Sequence, residues 1–193
     1  MVHRPKPLQV RIISGAYKGR KIHPPGSLPV RPTTDFAKEG LFNILNRLVD
    51  YEEVRVLDLF AGTGAISLEF VSRGAPVVMA VDIERSCTEF IAATASGFGM
   101  EGLRTVRANY LVFLKRSTER FDVIFADPPY DMNGIAALPG MAMDSPVLNP
   151  GGLLVLEHSD RYAFDSHPGF LEVRKYGRVH FTFFRKGKGE ARD

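Results

Sequence analysis

The feature that most constrains the fold lies at residues 121–130, where an apolar run ends abruptly in an acid, two prolines and an aromatic ring. Near-continuous apolar character is typical of strands that are buried on both faces of a parallel sheet. Pro128 and Pro129 cannot donate ladder hydrogen bonds, so the strand ends before them. The stretch therefore predicts a buried strand with a polar tip.

The polar tip is Asp127-Pro128-Pro129-Tyr130. The proline rings hold the Asp127 carboxylate and the nearby carbonyls as acceptors in a stiff loop, and Tyr130 adds a flat face. Acceptors beside a stacking face suit a planar NH2 donor. An ordinary proline turn with a solvated acid explains the same four residues equally well when they are taken alone.

The pattern from Val54 onward alternates strands and helices, which predicts an α/β fold with a doubly wound, mostly parallel, seven-stranded sheet. A pair of strands around Gly177 indicates an antiparallel edge. Residues 10–23 indicate a small β-hairpin, and residues 36–49 indicate a helix capped by Thr33, Thr34 or Asp35. Core strands are predicted near 54–60, 77–82, 103–107, 121–126, 152–157, 170–176 and 178–185, and helices near 64–73, 85–97, 110–117 and 134–144.

Charge is distributed unevenly along the 193 residues. Residues 1–38 hold eight Lys or Arg and one acid, and residues 173–189 hold six and no acid. Residues 39–172 hold ten basic and nineteen acidic residues. Basic ends on an acidic body predict a polyanionic partner, although solvated tails give the same count. The N-terminal charges alternate with apolar residues, which favours a folded segment.

A single cysteine, Cys87, excludes an intrachain disulfide framework and a multi-cysteine metal site. No stretch approaches the ~18 consecutive apolar residues of a membrane span. The charged N-terminus is not followed by the apolar block of a secretory signal. We expect a cytoplasmic protein with no membrane partner.

A second informative stretch, residues 56–65, combines an apolar strand with a glycine turn that opens the next helix. Gly62 and Gly64 permit positive φ and a close backbone approach to a ligand. The third glycine of the dinucleotide motif is replaced by Ser67, and Asp58 would repel a pyrophosphate. A ligand with a cationic amine, such as S-adenosylmethionine, fits this turn better.

Polar residues follow the next two strands as well. Asp82, eighteen residues after the glycine turn, can accept both hydroxyls of a ribose. Ile83 can cover one face of an adenine, while Asn109 and the Tyr110 backbone N–H can hydrogen-bond it. Each residue alone also fits a helix cap or a turn. Because the carboxyl ends of parallel strands converge on one crevice, together they predict a cofactor site that the Asp127 loop also faces.

Five motifs then identify a relationship: Arg31-Pro32-Thr33-Thr34-Asp35, Leu41-Phe42-Asn43-Ile44-Leu45, Asp58-Leu59-Phe60-Ala61-Gly62-Thr63-Gly64, Asp127-Pro128-Pro129-Tyr130 and Glu157-His158-Ser159. With these motifs the chain resembles the class I S-adenosylmethionine-dependent methyltransferases, and more specifically the RsmD family. That family methylates the exocyclic N2 amine of a guanine in 16S, small-subunit, ribosomal RNA. The resemblance implies a Rossmann-like methyltransferase fold, S-adenosyl-L-methionine as cofactor and no metal. It also implies a monomer whose partner is 16S rRNA in an assembled or assembling subunit.

The resemblance and the spacing assign residues to three roles and the chain to three parts. Residues 1–30 are expected to form an RNA-contacting hairpin extension, 31–188 the methyltransferase domain and 189–193 a tail. The expected catalytic residues are Asp127, Pro128, Pro129 and Tyr130. The expected cofactor-binding residues are Thr33, Asp58, Phe60, Ala61, Gly62, Thr63, Gly64, Asp82, Ile83, Asn109, Tyr110 and Asp127. The expected RNA-binding residues are Arg11, Lys18, Arg20, Lys21, Arg31 and Lys38.

Several positions depart from the family pattern. Phe36 stands where a basic residue is usual, Gly40 where alanine is usual, and Asn109 where an acid is usual. Residues 137–140, Ala-Leu-Pro-Gly, are expected to break a helix that the family keeps longer. We therefore expect a different loop over the target base.

The expected chemistry is positioning of a poorly nucleophilic amine. Asp127 and the Pro128 carbonyl accept the two N–H bonds, and Tyr130 stacks on the splayed base, so orientation and electrostatics supply the main effects. Asp127 acts as a positioned acceptor, not as a free strong base. Three alternatives remain open at this point: a DNA adenine-N6 or cytosine-N4 amino-methyltransferase, a nicotinamide dehydrogenase, and a non-catalytic RNA-binding module.

Overall fold

The predicted alternation of strands and helices is present in the structure, a computed structural model that describes residues 10–29 and 34–188. The strands are β1 Val10–Arg11, β2 Lys21–Ile22, β3 Arg55–Asp58, β4 Val77–Asp82, β5 Leu103–Arg107, β6 Phe121–Ala126, β7 Leu148–His158, β8 Phe170–Tyr176 and β9 Val179–Arg185. The α-helices are α1 Asp35–Leu45, α2 Ala65–Ser72, α3 Arg85–Phe98, α4 Tyr110–Arg116 and α5 Leu138–Asp144.

Seven of the described strands form one sheet in the order β5-β4-β3-β6-β7-β9-β8. The pairs from β5 to β7 are parallel, whereas β9 runs antiparallel to both β7 and β8. The predicted antiparallel edge and the predicted doubly wound sheet are therefore confirmed. The chain changes direction across the sheet between β3 and β6. Such a switch point leaves a crevice outside the carboxyl ends of these two strands.

Helices cover both faces of the sheet. Along β6, Val123 and Phe125 pack with residues of α1 and α2, while Ile124 faces a second cluster that includes residues of α4 and α5. Successive side chains of a strand point to opposite faces, so a strand buried on both sides reads as a continuous apolar run. Truncating Ile124 to alanine would cost about 2–5 kcal/mol of stability.

The predicted N-terminal hairpin is confirmed in a short form, since β1 and β2 pair over two residues each. An isolated hairpin of this size is not stable in water. Here Val10, Ile12 and Ile22 are buried in a cluster with residues of α2 and α3. Glu69 on α2 accepts hydrogen bonds from two backbone N–H groups of the loop between the strands. The hairpin is thus fixed to the domain by apolar and polar contacts.

Two helix boundaries differ from prediction. Helix α1 ends at Leu45 instead of residue 49. Helix α5 begins at Leu138 instead of residue 134, after a 3-10 helix at Ile135–Ala137. The expectation that residues 137–140 break a helix was wrong for Pro139, because this residue lies in the first turn of α5. A first-turn residue has no intrahelical acceptor for its N–H, so proline is tolerated there. Across residues 10–29 and 34–188, none of the helices has the length and apolar character needed to cross a membrane.

Candidate active site

The glycine turn after β3 has the backbone conformation that the sequence predicted. Gly62 and Gly64 have φ angles of 52° and 75°, in the left-handed region. A Cβ at Gly64 would lie 2.8 Å from Cγ1 of Ile91, so glycine is required there for space as well as for conformation. Asp82 fixes the turn, because its Oδ2 accepts a 2.8 Å hydrogen bond from the Gly62 N–H. The turn is therefore held in place from β4 by the acid expected to contact a ribose.

Asp58 is the most unusual polar residue of the crevice, because it is fully buried at the end of β3. Its Oδ2 accepts a 2.6 Å hydrogen bond from Ser67 Oγ, whereas its Oδ1 has no hydrogen-bond partner among the described residues. Burial raises the pKa of Asp58 to about 7, and the nearby Asp82 carboxylate adds to the shift. An unpaired buried acceptor costs about 1–3 kcal/mol, which a cationic N–H donor would recover. The orphaned oxygen therefore fits the ammonium group of S-adenosylmethionine.

The residues predicted to hold the adenine lie together on the β4 and β5 side of the crevice. Ile83 is 57% exposed, and the rings of Phe60 and Tyr110 are 4.9 Å apart. Asn109 caps α4, and its Oδ1 accepts a 2.9 Å hydrogen bond from the Leu111 N–H. Asn109 therefore has a structural role as an N-cap, whereas the alternative that the sequence left open for it was a turn residue. Its contact with an adenine amine stays a prediction that depends on the second lone pair of the same oxygen.

Three carboxylates lie at the carboxyl ends of β3, β6 and β7, which are neighbouring strands. Phe125 pairs with Asp58 and Ala126 pairs with Leu156, so Asp127 and Glu157 follow at the same level on strands about 4.8 Å apart. Burial raises the pKa of Asp127 well above its ordinary value, and the charges of Glu157 and Asp58 raise it further. The loop alone therefore favours the protonated form of Asp127, and a cation bound nearby would favour the ionised form, which accepts hydrogen bonds.

Tyr130 extends this row toward solvent. Its ring is 49% exposed, and its hydroxyl donates to Glu157 Oε1 at 3.4 Å. Burial and then the charge of Glu157 raise the pKa of Tyr130 to about 12, so the hydroxyl stays protonated. Sequence reasoning used Glu157 only as a motif residue and Ser67 only as a replaced glycine. For Glu157 a usable signal existed, because an acid directly after an apolar run also marked Asp58.

Four of the six residues predicted to bind RNA are exposed on the N-terminal hairpin, namely Arg11, Lys18, Arg20 and Lys21. Arg11 also forms ion pairs with two acids of α1, and the Arg20 guanidinium lies over the rings of Tyr17 and Phe98. Two further predicted residues, Arg31 for RNA and Thr33 for the cofactor, lie outside the described residues.

The assignment of Lys38 to RNA was wrong. Its side chain is completely buried, 3.6 Å from the Glu69 carboxylate, and its Nζ donates to the Arg11 carbonyl. Burial lowers the pKa of Lys38, and the Glu69 charge opposes this shift. A lysine enclosed in this way cannot reach a phosphate. Its function is to join α1 to the hairpin and to α2.

A doubly wound sheet with an antiparallel final pair and an acid at the end of its first core strand is the architecture of the class I methyltransferases. The chain is a methyltransferase of this class. The model of the family described as Conserved hypothetical protein 95 matches residues 10–185. The chain therefore belongs to that family, which is the RsmD family that its motifs indicated.

Similar proteins agree with this placement. The chain is 28% identical to Ribosomal RNA small subunit methyltransferase D of Escherichia coli K12, over 95% of this chain and 93% of that protein. It is 31% identical to the protein of the same name from Haemophilus influenzae, over 77% of this chain and 78% of that protein. The solved structure of yhhF from Escherichia coli superimposes with a TM-score of 0.80, at 27% identity, covering 93% of this chain and 98% of that chain.

Proposed function

We propose that this protein transfers a methyl group from S-adenosyl-L-methionine to the exocyclic N2 amine of a guanine in 16S ribosomal RNA. The observation that carries the proposal is the pair of acids at the ends of adjacent strands. Asp58 has one buried oxygen without a partner among the described residues, and Asp127 opens a loop that ends in an exposed aromatic ring. One acid suits a cation and the other suits a planar amine.

The residues that would hold the cofactor line the crevice from β3 to β5. Asp58 would accept from the ammonium group, Asp82 from the ribose hydroxyls, and Ile83 would cover the adenine. When bound, S-adenosylmethionine supplies an electrophilic methyl group on a positively charged sulfur. Asp58 and Asp127 both have raised pKa values, so a positive charge nearby favours their ionised forms. The loop thereby gains acceptor strength when the crevice is filled.

The loop from Asp127 to Tyr130 would position the target base. The Asp127 carboxylate and the Pro128 carbonyl accept the two N–H bonds of the amine, which directs the nitrogen lone pair toward the crevice. Tyr130 stacks on the splayed base, as aromatic side chains do in sequence-specific RNA recognition. Its hydroxyl, held by Glu157, limits rotation of the ring. These residues act by orientation and electrostatics, so the proton leaves after the transfer without a strong base.

The hairpin extension at residues 10–29 would hold the RNA backbone. Lys18, Arg20 and Lys21 are exposed on it, while its apolar side chains are buried against the domain. Exposed cations on a rigid support suit phosphate contacts. We further propose that the protein acts as a monomer on an assembled or assembling small ribosomal subunit. Proteins similar to this chain are named as methyltransferases of small-subunit ribosomal RNA, which supports that class of substrate.

The deciding experiment is mass-spectrometric mapping of the methylated nucleotide. Small ribosomal subunits from cells that lack this enzyme are incubated with the purified protein and S-adenosylmethionine carrying a labelled methyl group. We expect one labelled N2-methylguanine in the small-subunit RNA. Free small-subunit rRNA and duplex DNA, treated in parallel, distinguish the assembled substrate from naked RNA and from DNA. Label on an adenine or a cytosine, or transfer to DNA alone, would refute the proposal.

A further inference from the structure

An aromatic pair, Phe36 and Tyr176, lies outside the site described above. The ring centroids are 5.6 Å apart at an interplanar angle of 82°. Phe36 belongs to the first turn of α1 and is 69% exposed, the highest value among the exposed large apolar side chains of the described residues. Single exposed apolar residues are common and need no explanation. Phe36 differs from them in three ways: a second ring supports it, it lies at the same edge of the sheet as the Asp127 loop, and a cation lies nearby.

The support for the Phe36 ring is Tyr176, and the position of Tyr176 depends on Gly40. A Cβ at Gly40 would lie 2.1 Å from Cζ of Tyr176, so the tyrosine ring occupies the space of a missing side chain. On its other side, Tyr176 packs against Phe181 at a centroid distance of 5.9 Å. The two departures of α1 from the family pattern, Phe36 and Gly40, therefore contact the same ring. They act together, since Gly40 admits the ring that supports Phe36.

The pair lies at the same edge of the sheet as the catalytic loop. In the ladder, Lys175 of β8 pairs with His180 of β9, which in turn pairs with His158 of β7. His158 directly follows Glu157, so Tyr176 ends β8 near the level at which the acids end β6 and β7. Three strand spacings of about 4.8 Å separate β8 from β6, roughly 14 Å in all. A nucleotide that flanks a base bound at Asp127 can reach this distance.

An exposed cation lies close to the pair in the chain: Arg178 is exposed in the turn between β8 and β9, and among the described residues it forms no ion pair. Lys175 is exposed as well, but successive side chains of a strand point to opposite faces, so it lies on the other face of the sheet from Tyr176. Arg174, in contrast, is paired with Glu172. Exposed cations beside an exposed ring are the combination that single-stranded nucleic acids bind, because phosphates meet the charges and a base stacks on the ring.

We propose that Phe36, supported by Tyr176, is a stacking platform for an unpaired RNA base that flanks the target nucleotide, with Arg178 holding an adjacent phosphate. The proposal rests on the proposed function for the identity of the RNA. Stacking tolerates any base, so the platform contributes affinity and register and leaves base selection to the Asp127 loop.

Binding is measured without methyl transfer, by fluorescence anisotropy of labelled oligoadenylate and oligouridylate. Adenines stack more strongly than uracils, so Phe36→Ala should weaken oligoadenylate binding roughly 5–10-fold and oligouridylate binding less. Phe36→Trp keeps a ring and should retain the wild-type affinity. Leu171→Ala is the matched control, because Leu171 is an exposed apolar residue at the opposite end of β8. Equal affinities of Phe36→Ala and Leu171→Ala for oligoadenylate would overturn the proposal.

Two further measurements distinguish this proposal from the proposed function and from a contact between two copies of the chain. With small subunits as substrate, Phe36→Ala should raise KM by a similar factor and leave kcat near the wild-type value. If the wild-type protein methylates no subunit, the proposed function fails while the anisotropy result still decides the platform. Sedimentation of wild type and Phe36→Ala tests the other occupant, since loss of a dimer in the variant would assign the patch to a contact between copies and refute RNA stacking.

Discussion

Ser67 Oγ donates a 2.6 Å hydrogen bond to Asp58 Oδ2, and the other oxygen of the same buried carboxylate has no hydrogen-bond partner among the described residues. The serine therefore fixes the carboxylate plane while leaving one acceptor directed elsewhere. Asp58 ends β3, and Ser67 lies in the first turns of α2, so the glycine turn between them sets this geometry. A buried acid in this arrangement favours a cation over a phosphate.

The pH dependence of cofactor affinity follows from Asp58. Its pKa is raised to about 7, so at pH 6 the free protein holds a proton there that a bound cation displaces. S-adenosylmethionine should bind with proton release near pH 7, and its affinity should fall by up to about tenfold per pH unit below that. Calorimetry in two buffers of different ionisation enthalpy measures the released proton.

Two variants isolate that effect. Asp58→Asn should bind weakly and release fewer protons than the wild-type protein, because only Asp127 can then lose a proton when the cation binds. Ser67→Ala should shift the midpoint of the affinity profile to higher pH, because the Ser67 hydrogen bond lowers the pKa of Asp58. A pH-independent affinity in the wild-type protein would contradict the assignment of Asp58 to the ammonium group.

Asp127 should affect methyl transfer far more than cofactor binding. Asp127→Asn keeps the volume and removes an acceptor charge, so we expect transfer to fall by about 10²–10³ while the affinity for S-adenosylmethionine stays near wild type. Asp127→Ala should abolish transfer. Asp131→Ala removes an exposed acid beyond the same loop and serves as the control. Undiminished turnover of Asp127→Ala in a labelled-methyl assay would remove Asp127 from the site.

Two acids of the crevice could be predicted from the sequence alone. Asp58 and Asp127 were identifiable because a strand buried on both faces leaves a continuous apolar signal, and the first polar residue after it marks the strand end. The positive φ of the glycine turn could be predicted in the same way, because it depends on the residue type at that position. Both predictions use only residues that are adjacent in the chain.

The burial of Lys38 could not be predicted from the sequence. Lys38 lies between Ala37 and Glu39 in an amphipathic helix, and nothing local indicates that Glu69 lies opposite it. Only the docking of the hairpin on α1 and α2 buries both charges. The same holds for Gly40, whose missing side chain matters only because Tyr176 arrives from β8. Long-range contacts decide these positions, and local patterns do not encode them.

The Lys38–Glu69 pair should be important for stability. Lys38→Met leaves a completely buried carboxylate with fewer partners, although Arg73 still lies 3.0 Å from it. Breaking one side of a buried pair costs about 3–5 kcal/mol, and we expect a loss near the lower end. Urea unfolding measures the free energy of unfolding. Lys18→Ala, on the exposed hairpin, should change it by less than about 0.5 kcal/mol, and an equally small effect of Lys38→Met would contradict this role.

RNA affinity should depend on salt through the hairpin. Each phosphate contact with a single strand contributes about 0.7 to the slope of log affinity against log salt. Lys18→Ala combined with Lys21→Ala should therefore weaken binding and reduce that slope by about 1.4. Lys115→Ala, exposed on α4, is the control and should leave the slope unchanged. A double variant with the wild-type slope would exclude the hairpin from phosphate contact.

Gly40 and Tyr176 should be energetically coupled, with a change of sign between backgrounds. In the wild-type chain, Gly40→Ala places a Cβ where the Tyr176 ring lies, and overpacking of this kind costs about 1–3 kcal/mol. In a Tyr176→Ala background the space is open. The same substitution should then stabilise α1 by up to about 1 kcal/mol, because alanine is the better helix former.

A double-mutant cycle of urea unfolding measures this coupling, which should exceed about 1 kcal/mol. The Tyr176 ring lies at the end of a side chain, so it can also swing away from α1. In that case Gly40→Ala would be mild for stability but would still remove the support beneath Phe36. Oligoadenylate affinity of Gly40→Ala then distinguishes the two responses, since a displaced Tyr176 weakens stacking while a strained but retained ring does not. Equal unfolding free energies and equal affinities in Gly40→Ala and wild type would show that Gly40 has no part in placing Tyr176.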